Sequence, residues 1–226
     1  MNIVRAPLRI TLGGGGTDLP GWYKENGGFL ISAAINKYIY LTGSRRNFDN
    51  KLWLSYSQVE ICDSVDQIKH EIFAKCLEKY DISRGIEIHS ISELPGGSGL
   101  GSSGTFTVSL LRLLNIMQRR DMTMKELAEL AAHIEMVELG RSCGKQDQYI
   151  AVYGGVITLD ISKNGDVNVE VLDLDSITLK GLNSNLLLYY TGVSRDANMI
   201  LAEQNDLLRK RKLSPTAGMK RIQEIG

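Results

Sequence analysis

The residues best placed to do chemistry lie in LPGGSGLGSSG, positions 94–104, which holds five glycines and three serines in eleven residues. A glycine-rich backbone exposes successive N–H groups. Where it runs into a helix, the first-turn amides and the helix dipole complete an anion site that needs no net charge. Phosphate is the natural guest. No lysine follows the last glycine, as a Walker A loop would require, and no βαβ unit surrounds the stretch, so it shares the physics of the common phosphate loops without their signatures. Ser102 and Ser103 bring hydroxyls to the helix start, where one can cap the helix and one can ligate a magnesium ion bridging nucleotide phosphates. The competing interpretation of the same composition is a flexible linker between two folded pieces.

The neighbouring elements favour a grip over a tether. GIEIHSI (85–91) reads as a short strand running into the loop, and SSGTFTVSLLRLLNIMQ (102–118) reads as a buried helix running out of it. Upstream, residues 2–12 form a strand pattern and GGGGTDLPG (13–21) a turn. FLISAAINKYIYLTG (29–43) and KLWLSYSQVEIC (51–62) alternate apolar and polar residues as strands with one covered face do. From Ser64 the period lengthens: Val65, Ile68, Ile72, Cys76 and Tyr80, with Ser64 and Gln67 at capping-box spacing, predict one amphipathic helix over 64–80. Thr123 and Glu126 start another, running to about residue 139. A second polar loop, GRSCGKQDQ, follows, then strands in GGVITLDI and DVNVEVLDL, a turn-like KGLNSN, and a buried-looking strand, NLLLYYTG (185–192). The tail from residue 197 is helical in composition, with Ser214 and Pro215 marking a helix start. Mixed rather than alternating strand and helix groups predict an α+β fold, with a boundary near Lys180.

The 26 basic and 26 acidic residues cancel, so no global field draws nucleic acid or an anionic membrane, and any anion must be held locally. Cys62, Cys76 and Cys143 form an odd set without CxxC spacing, which argues against disulfides and a zinc site. His70, His89 and His133 share no motif and read as structural. The first residues lack a signal-peptide pattern and no run nears the ~18 apolar residues of a membrane span, so a cytoplasmic protein is expected, with neither nucleic acid nor membrane as partner.

LPGGSGLGSSG resembles the second motif, P-x-x-x-G-L-G-S-S-A, of the GHMP superfamily, named for galactokinase, homoserine kinase, mevalonate kinase and phosphomevalonate kinase; Gly104 stands where alanine is usual. APLRITLGGGGTD (6–18) resembles the first motif, A-P-G-R-V-N-L-I-G-E-H-T-D in galactokinase, with the same spacing from Arg9 to Asp18. CGKQDQY looks like the C-G-x-x-D-Q segment, and Glu135 precedes Asp147 at the family's spacing. Gly15 and Gly16 stand where galactokinase has Glu-His, so the side chains that would grip galactose hydroxyls from those positions are absent, and GGGGTDLPGWY looks like the bacterial D-glycero-D-manno-heptose 7-phosphate kinases.

This resemblance implies an α+β GHMP kinase fold. Residues 1–180 would be an ATP-binding domain of ribosomal protein S5 domain 2-like architecture, and residues 181–226 the start of an incomplete ferredoxin-like C-terminal domain. It implies ATP and Mg2+, and transfer of the γ-phosphoryl group to the anomeric C1 hydroxyl of a heptose 7-phosphate. The product, heptose 1,7-bisphosphate, would lead towards GDP-heptose. Pro95, Gly96, Gly97, Ser98, Gly99, Leu100, Gly101 and Ser102 would wrap the nucleotide, while Ser103 and Glu135 hold the metal. Asp147 would orient or deprotonate the acceptor hydroxyl, and Arg9 would place positive charge beside the transferred group. Asp18, with Gly15, Gly16 and Thr17, would meet the sugar, and Arg141, Lys145 and Arg195 are candidate donors to its phosphate. The family's third, glycine-rich motif has no counterpart within the 226 residues. A half-built second domain would leave NLLLYY poorly covered, which predicts either low solubility or association through that surface, a homo-oligomer being one form of it. The other implied possibilities are a weakly catalytic relative that binds a sugar phosphate or nucleotide, and a fucokinase-like or other small-molecule kinase.

Overall fold

The structure is a computed structural model that describes residues 1–189, 201–203, 206–207 and 213–225. Two long strands organise it. β1 (Asn2–Gly13) and β2 (Gly28–Arg45) pair antiparallel, with register shifts between Pro7 and Arg9 and between Thr11 and Gly13. Along its other edge β2 carries two partners end to end: β6 (Val156–Ile161) against residues 28–33, and β5 (Ile86–Ser92) against residues 39–45. The interval between them is where β5 releases the glycine-serine loop and where the chain enters β6. β3 (Leu52–Ser55) runs parallel to β5 and antiparallel to β4 (Val59–Cys62), and β7 (Val167–Val171) flanks β6.

Four helices pack against the sheet and one another: α2 (Glu71–Lys79), α3 (Ser102–Gln118), α4 (Met124–His133) and α5 (Gln146–Tyr153). Leu8, Leu41, Leu54 and Ile88 of the sheet meet Phe106, Leu110 and Leu114 of α3 and Phe73 and Leu77 of α2 in one buried cluster. Leu30, Leu159 and Ile161 meet Ala128, Tyr149 and Ile150 in another. Together the sheet and its helices bear out an α+β fold, and α3 spans the residues the sequence assigned to it.

The helix predicted over 64–80 is broken. Val65–Gln67 form one 3-10 turn, and α2 begins only at Glu71, capped by His70 Nδ1, which accepts from Phe73 N–H. The cause lies on another element: the Glu60 carboxylate accepts the Lys69 and His70 backbone N–H groups at 2.6 and 3.1 Å, which fixes the chain between the two pieces in a non-helical path. The predicted capping box of Thr123 and Glu126 is present in α4, but the helix passes at Ile134–Glu138 into a π turn. KGLNSN is helical, within α6 (Ser176–Asn185), because the Asp175 carboxylate takes the Ile177 and Thr178 N–H groups and seeds the first turn. After α6, residues 186–189 form no strand, and Leu187 and Tyr189 are exposed; residues 190–192 lie outside the described residues.

The first unforeseen helix is α1 (Pro20–Asn26), which starts with proline at its N1/N2 positions. Trp22, 1% exposed, is covered by Met219 of α7 (Leu213–Ile225), and its indole N–H donates to Gln223 Oε1 at 3.0 Å. Thus α7, assigned by sequence to a second domain, braces the helix that follows the tetraglycine bend. Met219→Ala is expected to cost about 2 kcal/mol, the low end for emptying a buried methionine position. With Trp53, the other tryptophan, replaced by Phe, it should move Trp22 emission to longer wavelength; unaltered emission would contradict the docking. Among the described residues, no helix is long and apolar enough to cross a membrane.

Candidate active site

Gly97, Gly99 and Gly101 have φ of 72°, 77° and 82°, left-handed values from which Ser98 and Leu100 between them are free, so the loop alternates in hand, the backbone pattern from which anion-binding nests are built. Gly101, not Ser102, is the N-cap of α3, and no side chain caps that helix. Its first-turn amides are left for an outside acceptor. Ser98 Oγ and Ser102 Oγ are buried without a hydrogen-bond partner, the condition of polar groups awaiting a ligand.

One arginine fastens this loop to a carboxylate. Arg9 follows the first register shift of β1, a place where a bulge re-aims a side chain. Its backbone N–H donates to Leu100 O at 3.1 Å and its Nη1 to Gly99 O at 2.8 Å, while Nε and Nη2 reach Asp147 Oδ1 at 2.7 and 2.6 Å. Asp147 sits in the first turn of α5, whose N-cap is Lys145, so Asp147 does not serve as the cap. The departure at Gly104 has a use: a Cβ there would lie 2.6 Å from Asp147 Cβ, so glycine lets α5 approach α3 this closely.

Glu135 lies in the π turn and is 1% exposed. π turns reorient side chains out of a regular helix. Ser103 Oγ donates to its Oε2 at 2.5 Å and Gln148 Nε2 to its Oε1 at 2.9 Å. Burial pushes the Glu135 carboxyl above the ordinary range, against the lowering effect of those two donors. A serine and a carboxylate give two hard oxygen donors, few enough to suit Mg2+, which keeps waters and takes phosphate oxygens as its remaining ligands. Among the described residues no cluster of three His, Cys, Asp or Glu side chains could hold a metal alone.

In the tetraglycine bend, Thr17 is fully buried, and its one hydroxyl hydrogen is shared between Gly14 O and Phe29 O at 2.7 and 2.8 Å, closing the bend that carries Gly15 and Gly16. Asp18 Oδ2 accepts the Gln146 N–H at 3.0 Å, so a buried aspartate from the first loop caps the otherwise uncapped α5. Burial raises its pKa; the Gln146 N–H opposes the rise and the Asp147 charge adds to it. Because the folded pKa lies above the unfolded one, the ionised Asp18 costs stability at neutral pH, and that cost disappears as pH falls through the folded pKa. Asp18→Asn is therefore expected to raise Tm at neutral pH, with the gain fading on acidification through that window. A Tm lowered at neutral pH would contradict this.

Two of the expected phosphate donors lie elsewhere. Lys145 is buried, with Nζ bonded to both Glu129 oxygens at 2.9 Å and to Gly165 O at 2.7 Å, and Glu129 also accepts from Tyr149 OH; these bonds hold it in a structural network. Arg141 reaches the end of the glycine-serine loop, donating to Ser103 Oγ at 2.9 Å, and also donates to Glu71 Oε2 at 3.2 Å. Arg195 lies outside the described residues. Beside the loop is a cavity of about 290 Å³ whose lining includes Tyr56, His70, Phe106, Ser102, Ser103 and Arg141. A larger cleft, about 700 Å³ at the α3–α4 corner, contains none of the residues that the motifs single out. Gln148, which orients Glu135, and Gly144, into whose space Asp18 fits, were not among the candidate site residues, although both are fixed letters of the C-G-x-x-D-Q segment, which was the available signal.

Residues 67–155 match the model of the GHMP kinases N terminal domain. The chain is 30% identical over 207 residues to a D-glycero-alpha-D-manno-heptose 7-phosphate kinase of Campylobacter jejuni, covering 87% of this chain and 61% of the relative. It is 27% identical over 205 residues to a galactokinase of Pyrococcus furiosus, covering 85% and 54%. The chain thus spans less than two thirds of the length of these curated relatives. Among solved structures, a D-glycero-D-manno-heptose 1-phosphate kinase from Bacteroides thetaiotaomicron superposes with a TM-score of 0.78 at 27% identity, covering 96% of this chain and 76% of the other. With the glycine-serine loop, the Arg9–Asp147 pair and the Ser103–Glu135 pair in one site, the chain has the fold of the GHMP kinases, and its residues 67–155 match their N-terminal domain.

Proposed function

We propose that this chain transfers the γ-phosphoryl group of ATP to the anomeric C1 hydroxyl of a heptose 7-phosphate, giving the 1,7-bisphosphate that leads towards activated heptose for surface glycans. The observation that carries the proposal is the Arg9 guanidinium, which joins the carbonyl edge of the glycine loop to the Asp147 carboxylate. Phosphoryl transfer asks a protein mainly for positioning and charge neutralisation, and this arrangement supplies both within one hydrogen-bond network.

The amides of the glycine loop and of the start of α3 bind the nucleotide phosphates, and the adjoining cavity, with Tyr56, His70 and Phe106 in its wall, suits the base. Ser103 and Glu135 would hold Mg2+, which would supply neutralisation of the phosphate charge when bound. Arg9 places permanent positive charge beside the transferred group. All the described contacts of Asp147 fall on Oδ1, which leaves Oδ2 to orient the acceptor hydroxyl and take its proton. Asp18, in contact with the α5 N-terminus, sits next to that hydroxyl. Two heptose kinase relatives with differently placed phosphates in their names, and the glycines at positions 15 and 16, favour a heptose phosphate over galactose. Three free cysteines and a need for ATP fit a cytoplasmic setting.

The test is ADP release from Mg-ATP by the full chain with heptose 7-phosphate, heptose 1-phosphate, galactose, fucose and mevalonate in parallel. The proposal expects turnover with heptose 7-phosphate well above the rest. Turnover with another member of the panel reassigns the acceptor, and nucleotide binding with no acceptor phosphorylated overturns the kinase reading.

A further inference from the structure

Arg141 stands where a metal would have to enter. Its Nη1 donates to Ser103 Oγ at 2.9 Å and lies 3.8 Å from Glu135 Oε2, its Nη2 reaches Glu71 Oε2 at 3.2 Å, and its backbone N–H donates to Glu135 O at 2.9 Å. The π turn therefore fixes both the carboxylate and the arginine that faces it. Ser103 Oγ gives its single hydrogen to Glu135 and accepts from Arg141, so both oxygens of the metal pair are already engaged. Mg2+ binds oxygen at about 2.0–2.1 Å through the same lone pairs. A guanidinium and a divalent cation cannot share them, and the 2.5 Å Ser103–Glu135 hydrogen bond must also open. Glu71, on α2, is an exposed carboxylate that can retain Arg141 once it leaves.

We propose that Arg141 is the resident counter-charge of the metal seat. It faces buried Glu135 and holds Ser103 aligned in the unloaded protein and gives way to the metal nucleotide, so it sets the metal concentration the protein needs. Nothing in the motif spacing assigns Arg141 this position, and the proposal rests on Ser103 and Glu135 being the metal ligands.

The experiment is Mn2+ binding to the full chain with saturating ADP, read from the electron paramagnetic resonance of free Mn2+. Arg141→Met is expected to bind Mn2+ about ten-fold tighter than the unmodified chain, the size of change that removing a competing charge at this range produces in a partly buried site. Arg141→Gln, which keeps a donor but no charge, should show a gain as well, and tryptophan emission of both variants checks that the fold is kept. A structural role alone would weaken binding. Equal or weaker Mn2+ binding in both variants, with Glu135→Gln still abolishing it, overturns the proposal and leaves the metal assignment standing. Mn2+ binding that Glu135→Gln does not change overturns that assignment and the proposal with it.

Discussion

Asp147→Asn is expected to lower kcat about 1,000-fold, within the range a positioned acid or base contributes, while ATP affinity stays within roughly two-fold because the loop amides proposed to hold the phosphates are untouched. Asparagine preserves volume and can still accept from Arg9, so the loop keeps its tie through Gly99 O and Leu100 O. What it removes is the anionic oxygen proposed to receive the acceptor proton, together with the charge that balances the guanidinium. A matching loss of ATP affinity would place Asp147 in nucleotide binding. A kcat within ten-fold of the unmodified chain would remove it from the chemistry. Arg9→Lys is a companion measurement, since a lysine cannot reproduce the fork that spans Gly99 O and Asp147.

Gly144→Ala is expected to be among the most damaging single methyls in the site. An alanine Cβ would lie 1.9 Å from Asp18 Oδ2 and 2.2 Å from its Cγ. Asp18 cannot step aside freely, because it is buried and its Oδ2 holds the Gln146 N–H at the start of α5. The expected cost is about 3 kcal/mol, the upper part of the usual range for overpacking, or roughly 9 °C in Tm for a chain of this size. The displaced α5 carries Asp147 with it, so activity should fall as well. In a double-mutant cycle, Asp18→Gly should recover most of the stability lost to Gly144→Ala, since it vacates the space in dispute. Additive losses would show that the two residues do not collide.

The parts of the molecule legible in the sequence are those fixed by local chemistry. The glycine-serine loop could be placed between β5 and α3 because glycine content, strand alternation and an apolar helical run each act within a few residues. The capping box of Thr123 and Glu126 was legible for the same reason. What escaped depends on partners distant in sequence. The break before α2 is imposed by Glu60 of β4, and the period of residues 64–80 carries no trace of it. The π turn at Glu135 settles which way a buried carboxylate points; spacing to Asp147 gives the distance along the chain and not that direction. Arg141 and Lys145 looked alike as loop cations, yet one lies across Ser103 and the other is held by Glu129 and Gly165, a difference set wholly by tertiary contacts. The helix α1 was hidden because glycine, proline and tryptophan close together signal a turn, whereas its stability comes from the cover that Met219 gives Trp22.

The most direct test of the central claim, that the Arg9–Asp147 pair and the glycine loop form one phosphoryl-transfer centre, is phosphorus NMR of the full chain with Mg-ATP and heptose 7-phosphate. The account predicts that the β- and γ-phosphate signals of ATP give way to ADP in step with a new phosphomonoester on the anomeric carbon, and that Asp147→Asn retains the bound-nucleotide signals while the new resonance fails to grow. ATP that is hydrolysed to inorganic phosphate with the acceptor unchanged, or an Asp147→Asn chain that forms the anomeric phosphate at the unmodified rate, would contradict it.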